Sequence, residues 1–292
     1  MFGFGNTPKG AKIMDHEQID ARVLILEGAW KPDYRELFTK GKVNGVRLSR
    51  SMGWKAEGLG FLAELENLIS VEIYHADVKD LSVLSDLKDL RYIGLECAYR
   101  KFNFSVFQNL EGFAANWRNG CDSALSTAFL RYINLNGYPA TDLLPFQSLS
   151  SLSRLSLQSR KLETLNGAEH LPNLKQLDLA YCTSLSDISA LKNHPSLSTM
   201  SLTACKKVSD YSALGSCKNL TRICAENESA SLDSIQFVES LTELEWLLLI
   251  GMKVADGNLH PLLSLKKLNN LALPSHKHYS PSRDEIRAQL GL

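Results

Sequence analysis

The 292-residue sequence lacks an excess of charge of either sign, since 32 Lys and Arg residues are balanced by 32 Asp and Glu residues. A net charge of zero removes the general electrostatic attraction that draws basic proteins to nucleic acids and anionic membranes. We therefore expect neither a nucleic-acid partner nor a membrane partner. No sequence feature indicates a small-molecule substrate.

The sequence also lacks metal-site spacing and long apolar runs. No two cysteines form C-x-x-C and the seven histidines are scattered, so we expect no metal and no cofactor. No stretch approaches the roughly 20 apolar residues of a membrane helix, and the start, MFGFGNTPKGAKIMDHEQ, has no apolar signal-peptide region. We expect a cytoplasmic protein with six free thiols. These are Cys97, Cys121, Cys182, Cys205, Cys217 and Cys224.

Motifs of catalysis are missing as well. The stretch GNTPKGAK (5–12) has the glycine spacing of a phosphate-binding loop, but Ala11-Lys12 stands where Lys-Ser/Thr is needed. Neither G-x-S-x-G nor H-E-x-x-H occurs. His276 and His278 have no accompanying ligands and are interpreted as surface residues. The sequence thus predicts no catalytic residue and no enzymatic activity.

What the sequence does contain is an internal repeat, L-x-x-L-x-L, as in LPNLKQLDL (171–179). Copies follow one another at intervals of 20 to 24 residues. Their last apolar residues are Ile73, Leu95, Ala115, Leu135, Leu157, Leu179, Leu202, Ala225, Leu249 and Leu273. Two further upstream candidates end at Ile25 and Leu48.

The uneven spacing of leucines within one copy is typical of one coil of a solenoid. Alternation along a short strand turns Leu177 and Leu179 inward and Asp178 outward. After a corner, Ile188 and Leu191 point back into the same core. Neighbouring coils must stack, because no single coil can bury its apolar side alone.

The motif and its period resemble the leucine-rich repeat family over about residues 21–274, and the chain is similar to bacterial cytosolic members. The resemblance implies an α/β solenoid, a right-handed superhelix of about 10–12 coils. Its concave side would be a parallel β-sheet and its convex side short helical, 3₁₀ or irregular segments. We expect an N-terminal extension or partial cap (1–20), the solenoid (21–278) and a C-terminal capping helix (279–292), in which Ser282 and Glu285 have capping-box spacing.

The chain departs from the family at the position three residues after the last strand leucine. Many members have asparagine there, whereas none of these copies does, so we expect no asparagine ladder. Cys182 and Cys205 resemble the cysteine-containing subclass, which implies buried structural thiols. Six recurrent aspartates could bind calcium or cap the convex segments, and capping is the favoured interpretation. They are Asp80, Asp142, Asp187, Asp210, Asp233 and Asp256.

A partner would meet the outward side chains of the strands. Our hypothesis is that Tyr74, Tyr92 and Tyr132 anchor a protein on the concave face, with Glu72 and Glu96 favouring its basic groups. The alternative is that these tyrosines only shield the sheet. The candidate partner-binding set also includes Asn116, Asn134, Arg154 and Trp246. Trp246 belongs to an outward apolar patch that either forms an interface or is covered.

These observations favour a non-enzymatic protein–protein interaction module. Within that class, one hypothesis is an inhibitor or immunity-type protein that blocks a toxin or enzyme through the concave face. The alternative is an adaptor or effector recognition arm that presents a target protein to an enzyme. Both interpretations rest on the resemblance, because the repeat is a scaffold used for many tasks.

Overall fold

The structure, a computed structural model, describes residues 9–292. Residues 1–8 of the predicted N-terminal extension lie outside this range, as does the first half of GNTPKGAK. The chain divides into two compact units, Met1–Asn134 and Leu135–Leu292, and each has its own strands and core. No helix of the described residues is long and apolar enough to cross a membrane.

In the first unit, β1 pairs antiparallel with β2, and β2 to β6 then pair in parallel and in chain order. The strands are β1 (Ala11–Asp15), β2 (Arg22–Leu26), β3 (Gly45–Ser49), β4 (Ser70–Tyr74), β5 (Tyr92–Leu95) and β6 (Gly112–Asn116), and β7 (Tyr132–Asn136) includes the unit boundary. One α-helix, α1 (Arg35–Thr39), follows β2. The 3₁₀ helices are Pro32–Tyr34, Arg50–Met52, Gly60–Glu64, Ser82–Asp86, Phe104–Val106 and Cys121–Ser126.

In the second unit the long strands are again parallel and paired in chain order, while a two-stranded ladder forms on the returning side. The long strands are β8 (Arg154–Gln158), β9 (Gln176–Ala180), β10 (Thr199–Thr203), β11 (Arg222–Glu226), β13 (Trp246–Ile250) and β15 (Asn270–Ala272). The short ladder joins β12 (Ser231–Leu232) to β14 (Lys253–Val254), and α2 (Arg283–Leu290) ends the unit. The 3₁₀ helices are Leu144–Phe146, Ala168–His170, Ser189–Leu191, Ser212–Ser216, Gln236–Ser240 and His260–Ser264.

Strand register explains why the repeat must be regular. Leu155 lies opposite Leu177, which lies opposite Met200, so equivalent side chains stack from one strand to the next. Leu157 and Leu179 stack in the same way. Each of these side chains is at most 1% exposed, and full burial of a leucine contributes about 1.5–3 kcal/mol. The predicted leucine-rich repeat solenoid, with parallel strands and short 3₁₀ returns, is confirmed.

Aspartates fix the start of many returning segments. The Oδ1 atoms of Asp80, Asp187 and Asp210 each accept a hydrogen bond, 2.8 Å long, from the first backbone N–H of a 3₁₀ helix. Asp142 accepts a longer bond of the same kind, at 3.1 Å. Asp256 accepts a hydrogen bond from the Asn258 N–H at 3.1 Å, and it is Asn258 Oδ1 that accepts from the first N–H of the 3₁₀ helix His260–Ser264. The capping interpretation is confirmed for Asp80, Asp142, Asp187 and Asp210, because an Asx turn satisfies an N–H that the helix itself leaves unpaired. Asp233 instead accepts a hydrogen bond from the Ser209 hydroxyl.

The corners after the strands bury polar groups that bond to the preceding coil. The Cys205 thiol donates to the Leu179 carbonyl at 3.5 Å, and both Cys182 and Cys205 are fully buried. Asn227, also fully buried, accepts from the Cys205 N–H at 2.5 Å and donates to the Leu202 carbonyl at 3.3 Å. One corner thus has an asparagine that bonds the preceding coil, although the sequence predicts no asparagine ladder. Asn227 lies two residues after Ala225, and not three, so the family spacing does not predict it.

The end of the second unit is covered by α2, whose predicted capping box between Ser282 and Glu285 is present. Ile286 is fully buried, and Arg287 donates to the Leu271 carbonyl at 2.9 Å. These contacts place α2 against the last long strand, where Leu271 and Leu273 would otherwise be open to solvent.

Replacing Ile286 with alanine should lower the free energy of unfolding by about 2–4 kcal/mol, because it leaves a cavity under α2. Urea denaturation measures this loss. The matched control, Gln289→Ala, changes an exposed residue of the same helix and should stay within about 0.5 kcal/mol of wild type. Equal stability of the two variants would contradict the covering role of α2.

Candidate functional site

Part of the outward face of the first unit, around Tyr92, is covered by residues 16–21 of the same chain. The His16 ring lies 4.2 Å from the Tyr92 ring, edge to face. Ile19 and Ala21 form a buried apolar cluster with Tyr92, which is only 4% exposed. Tyr92 points outward from its strand, as the alternation predicts, but Ile19 and Ala21 cover it. Tyr92 therefore presents no exposed anchor.

Glu72 is buried beneath the same segment, at 1% exposure. Its Oε2 atom accepts hydrogen bonds from Arg47 Nε at 3.0 Å and from the Tyr74 hydroxyl at 2.6 Å. Its Oε1 atom lies 3.7 Å from His16 Nε2, and neither atom has a hydrogen-bond partner among the described residues. The expectation that Glu72 is open to basic groups of a partner is corrected, since Arg47 of this chain already neutralises it.

The other predicted residues of the first unit keep part of their surface. Tyr132 is half-buried and stacks on Tyr92, with ring centroids 6.1 Å apart. Tyr74 is half-buried, and Glu96 is exposed. Asn116 and Asn134 are half-buried. A partner-binding role for these residues stays a prediction.

The outward face of β8 to β13 carries no such covering segment among the described residues, and we name it the open strand face. Register aligns its side chains in three rows that run across the strands. The first row is Arg154, Gln176, Thr199, Arg222 and Trp246; the second is Ser156, Asp178, Ser201, Cys224 and Leu248; the third is Gln158, Ala180, Thr203, Glu226 and Ile250. With strands about 4.8 Å apart, a row is about 19 Å long.

A shallow groove of about 350 Å³ lies at the β13 end of this face. Its most prominent feature is the Arg222 guanidinium, which stacks over the Trp246 ring at 4.3 Å from the ring centre. Leu248 lines the groove beside Trp246, and Ile250 is 42% exposed. The groove therefore joins a cation, an aromatic ring and apolar surface on one rigid strand pair.

The other wall of the groove is polar. Gln176 donates from Nε2 to Asp178 Oδ2 at 2.7 Å, and burial raises the pKa of the Asp178 carboxyl group. Burial also raises the pKa of Cys224, so this half-exposed thiol is less acidic than usual. A raised thiol pKa disfavours the thiolate that nucleophilic catalysis needs. The hydroxyl groups of Thr199 and Ser201 complete the wall.

Among residues 9–292, no group of three or more His, Cys, Asp or Glu side chains is placed to hold a metal ion. The His276 and His278 rings lie 5.7 Å apart, and His278 Nε2 is 2.9 Å from the Val254 carbonyl oxygen. That contact attaches the His278 side chain to the preceding coil, so the ring has a structural role.

Comparison with known proteins supports the fold. No family model and no curated protein matches the chain. An internalin (InlF) of Listeria monocytogenes has a similar structure, with a TM-score of 0.55 and 16% identity over 81% of this chain and 69% of the internalin. Internalin C2 of the same organism has a TM-score of 0.48 and 18% identity, over 65% of this chain and 83% of the internalin. A leucine-rich repeat protein of Leptospira interrogans has a TM-score of 0.41 and 14% identity, over 90% of this chain and 91% of that protein.

Acidification should weaken the first unit, because burial lowers the pKa of His16 from the usual 6.5 and the nearby Glu72 only partly opposes this. The stability that neutral His16 contributes is complete above pH 6.5, the pKa of the unfolded chain. It is lost as the pH falls through the lower pKa of the folded state. Melting temperature against pH measures the loss. His16→Gln should flatten this dependence.

The control is His194→Gln. Burial also lowers the pKa of His194, so this variant should remove a contribution to the pH dependence that is separate from that of His16. A pH dependence that is identical in wild type and His16→Gln would contradict the buried position of His16.

Proposed function

We propose that this chain, which has the leucine-rich repeat fold, is a non-enzymatic module that binds a protein partner through the open strand face of its second unit. The parallel strands hold the outward side chains in fixed rows, so little conformational freedom is lost when a partner docks. The inward side chains are fully committed to the core. Only the outward rows are free to vary with the partner.

The observation that carries this proposal is the stack of Arg222 on Trp246 beside Leu248. Tryptophan and arginine are enriched among residues that dominate binding energy, and here each holds the other in place. Exposed apolar area next to them favours a partner that desolvates the groove. In this proposal the stack is the anchor of the interface. It replaces the tyrosines of the first unit, which the sequence hypothesis favours.

The chemistry of the groove describes the partner surface that would fit. An apolar side chain of the partner would pack between Trp246, Leu248 and Ile250. Hydrogen-bonding groups beside it would meet the Thr199 and Ser201 hydroxyls. This combination of an apolar centre and a polar rim is typical of protein–protein interfaces.

The inhibitor or immunity-type hypothesis is retained as the finer proposal. A rigid face can block the surface of an enzyme without any change in its own shape, which suits an inhibitor. An adaptor would need a second surface for a second protein. Activity assays of the purified partner separate the two, since an inhibitor acts alone at equimolar ratio and an adaptor requires a third component.

Replacing Leu248 with aspartate, or Arg222 with alanine, should weaken partner binding by about 30-fold or more, equivalent to about 2 kcal/mol. Both side chains point away from the core, so thermal stability should change little. The measurement is quantitative affinity capture from the cells that produce the chain, followed by titration of the captured protein.

The matched control is Glu96→Gln, an exposed outward residue of the first unit. A partner that is retained by both second-unit variants and lost with Glu96→Gln would overturn the proposed face. The proposal would equally be contradicted if no captured protein were lost when Arg222 or Leu248 is replaced.

A further inference from the structure

A second cleft of the second unit lies where β8 and β9 end and the chain enters the corner. It measures about 740 Å³, and Arg160, Lys161 and Tyr181 line it. We propose that this cleft binds an acidic peptide segment, in which carboxylates pair with the two cations and an apolar side chain packs on the tyrosine ring. The two clefts share no lining residue, so this proposal does not depend on the groove at Trp246.

The charge of the cleft is positive and uncompensated. Arg160 and Lys161 are exposed, and neither forms an ion pair with another described residue. The remaining lining residues are neutral, and none is a carboxylate. Two adjacent cations without a partner favour an anionic ligand, because charge complementarity selects the partner and speeds its approach.

The backbone that carries these cations is fixed before any ligand arrives. The Ser159 hydroxyl accepts hydrogen bonds from the N–H groups of Lys161 and Leu162, both at 3.1 Å. It also donates to the Tyr138 carbonyl at 2.6 Å, and Ser159 is only 3% exposed. The loop is therefore tied to the preceding coil, which reduces the entropy lost on binding.

Tyr181 stands in a backbone conformation that a tyrosine rarely adopts. Its φ is +54°, in the left-handed region. In three other coils the residue two positions after the last strand leucine also has positive φ, and these residues are Gly137, Ala204 and Gly251. A bulky aromatic residue is costly at such a position, yet its side chain is 58% exposed and adds little to the core. Strain of this kind concentrates at ligand-binding sites.

A peptide fits better than a phosphate group. Phosphate sites usually offer several unpaired backbone N–H groups, but most N–H groups with known partners at this corner are bonded to carbonyl groups of the chain. Those of Gly137 and Tyr138 donate to the Gln158 carbonyl, and that of Tyr181 donates to the Thr203 carbonyl. Side-chain cations beside an aromatic ring are left, and these suit carboxylates flanked by an apolar residue.

The test is selection of a random peptide library displayed on phage against the full chain, followed by calorimetric titration of the enriched peptides. We expect enriched peptides to carry neighbouring Asp or Glu residues and one large apolar residue. The double variant Arg160→Glu/Lys161→Glu should weaken their binding at least about tenfold. Lys206→Glu/Lys207→Glu is the matched control. These exposed lysines directly follow Cys205, at the corner of a later coil, and do not line the cleft.

Tyr181→Gly separates binding from folding. This change removes the ring and also relieves the left-handed backbone, so the melting temperature should not fall while peptide binding does. Enrichment without acidic residues, or equal losses in the two charge-reversed variants, would overturn the proposal. So would failure to enrich any peptide that requires Arg160 and Lys161. Displacement of the peptide by inorganic phosphate or by an unstructured RNA oligonucleotide at comparable concentration would assign the cleft to phosphate chemistry instead.

Discussion

The structure depends on one packing constraint: a coil of this length cannot enclose its own apolar side chains, so each coil completes its core with its neighbours. Leu155, Leu177 and Met200 are equivalent residues of successive coils, and parallel register places them in direct succession. A change of register by one residue would turn these side chains toward solvent. The constraint therefore fixes the repeat period, the strand direction and the identity of the inward residues together.

The same constraint leaves the outward side chains available for other tasks, and the two units use them differently. In the first unit, residues 16–21 lie over the strands, and Arg47 and Tyr74 satisfy one oxygen of the buried Glu72. In the second unit, the outward rows are open to solvent and carry the Arg222–Trp246 stack. Local packing over the strands thus decides which outward side chains stay open to solvent.

The inward half of each coil could be predicted from the sequence because its spacing is local and repeats. Leu177 and Leu179 were placed correctly for this reason, and the Asx turns at Asp187 and Asp210 followed from recurrence. The burial of Tyr92 could not be predicted in this way, since it depends on the path of a distant segment that has no repeat. Asn227 was missed because its corner is one residue shorter than those of Cys182 and Cys205. Tyr181 looks ordinary in the sequence and becomes informative only through its backbone angle.

The most direct test of the shared core is a double-mutant cycle between Leu155 and Leu177, which lie opposite each other on β8 and β9. With alanine at each position, the account predicts an interaction energy of about 0.5–3 kcal/mol, because the two side chains share one packed layer. A second cycle pairs Leu155 with Leu247 of β13, several strands away, and should be additive within about 0.5 kcal/mol. Additive behaviour in the first cycle, or equal coupling in both, would contradict a core built from successive neighbouring coils.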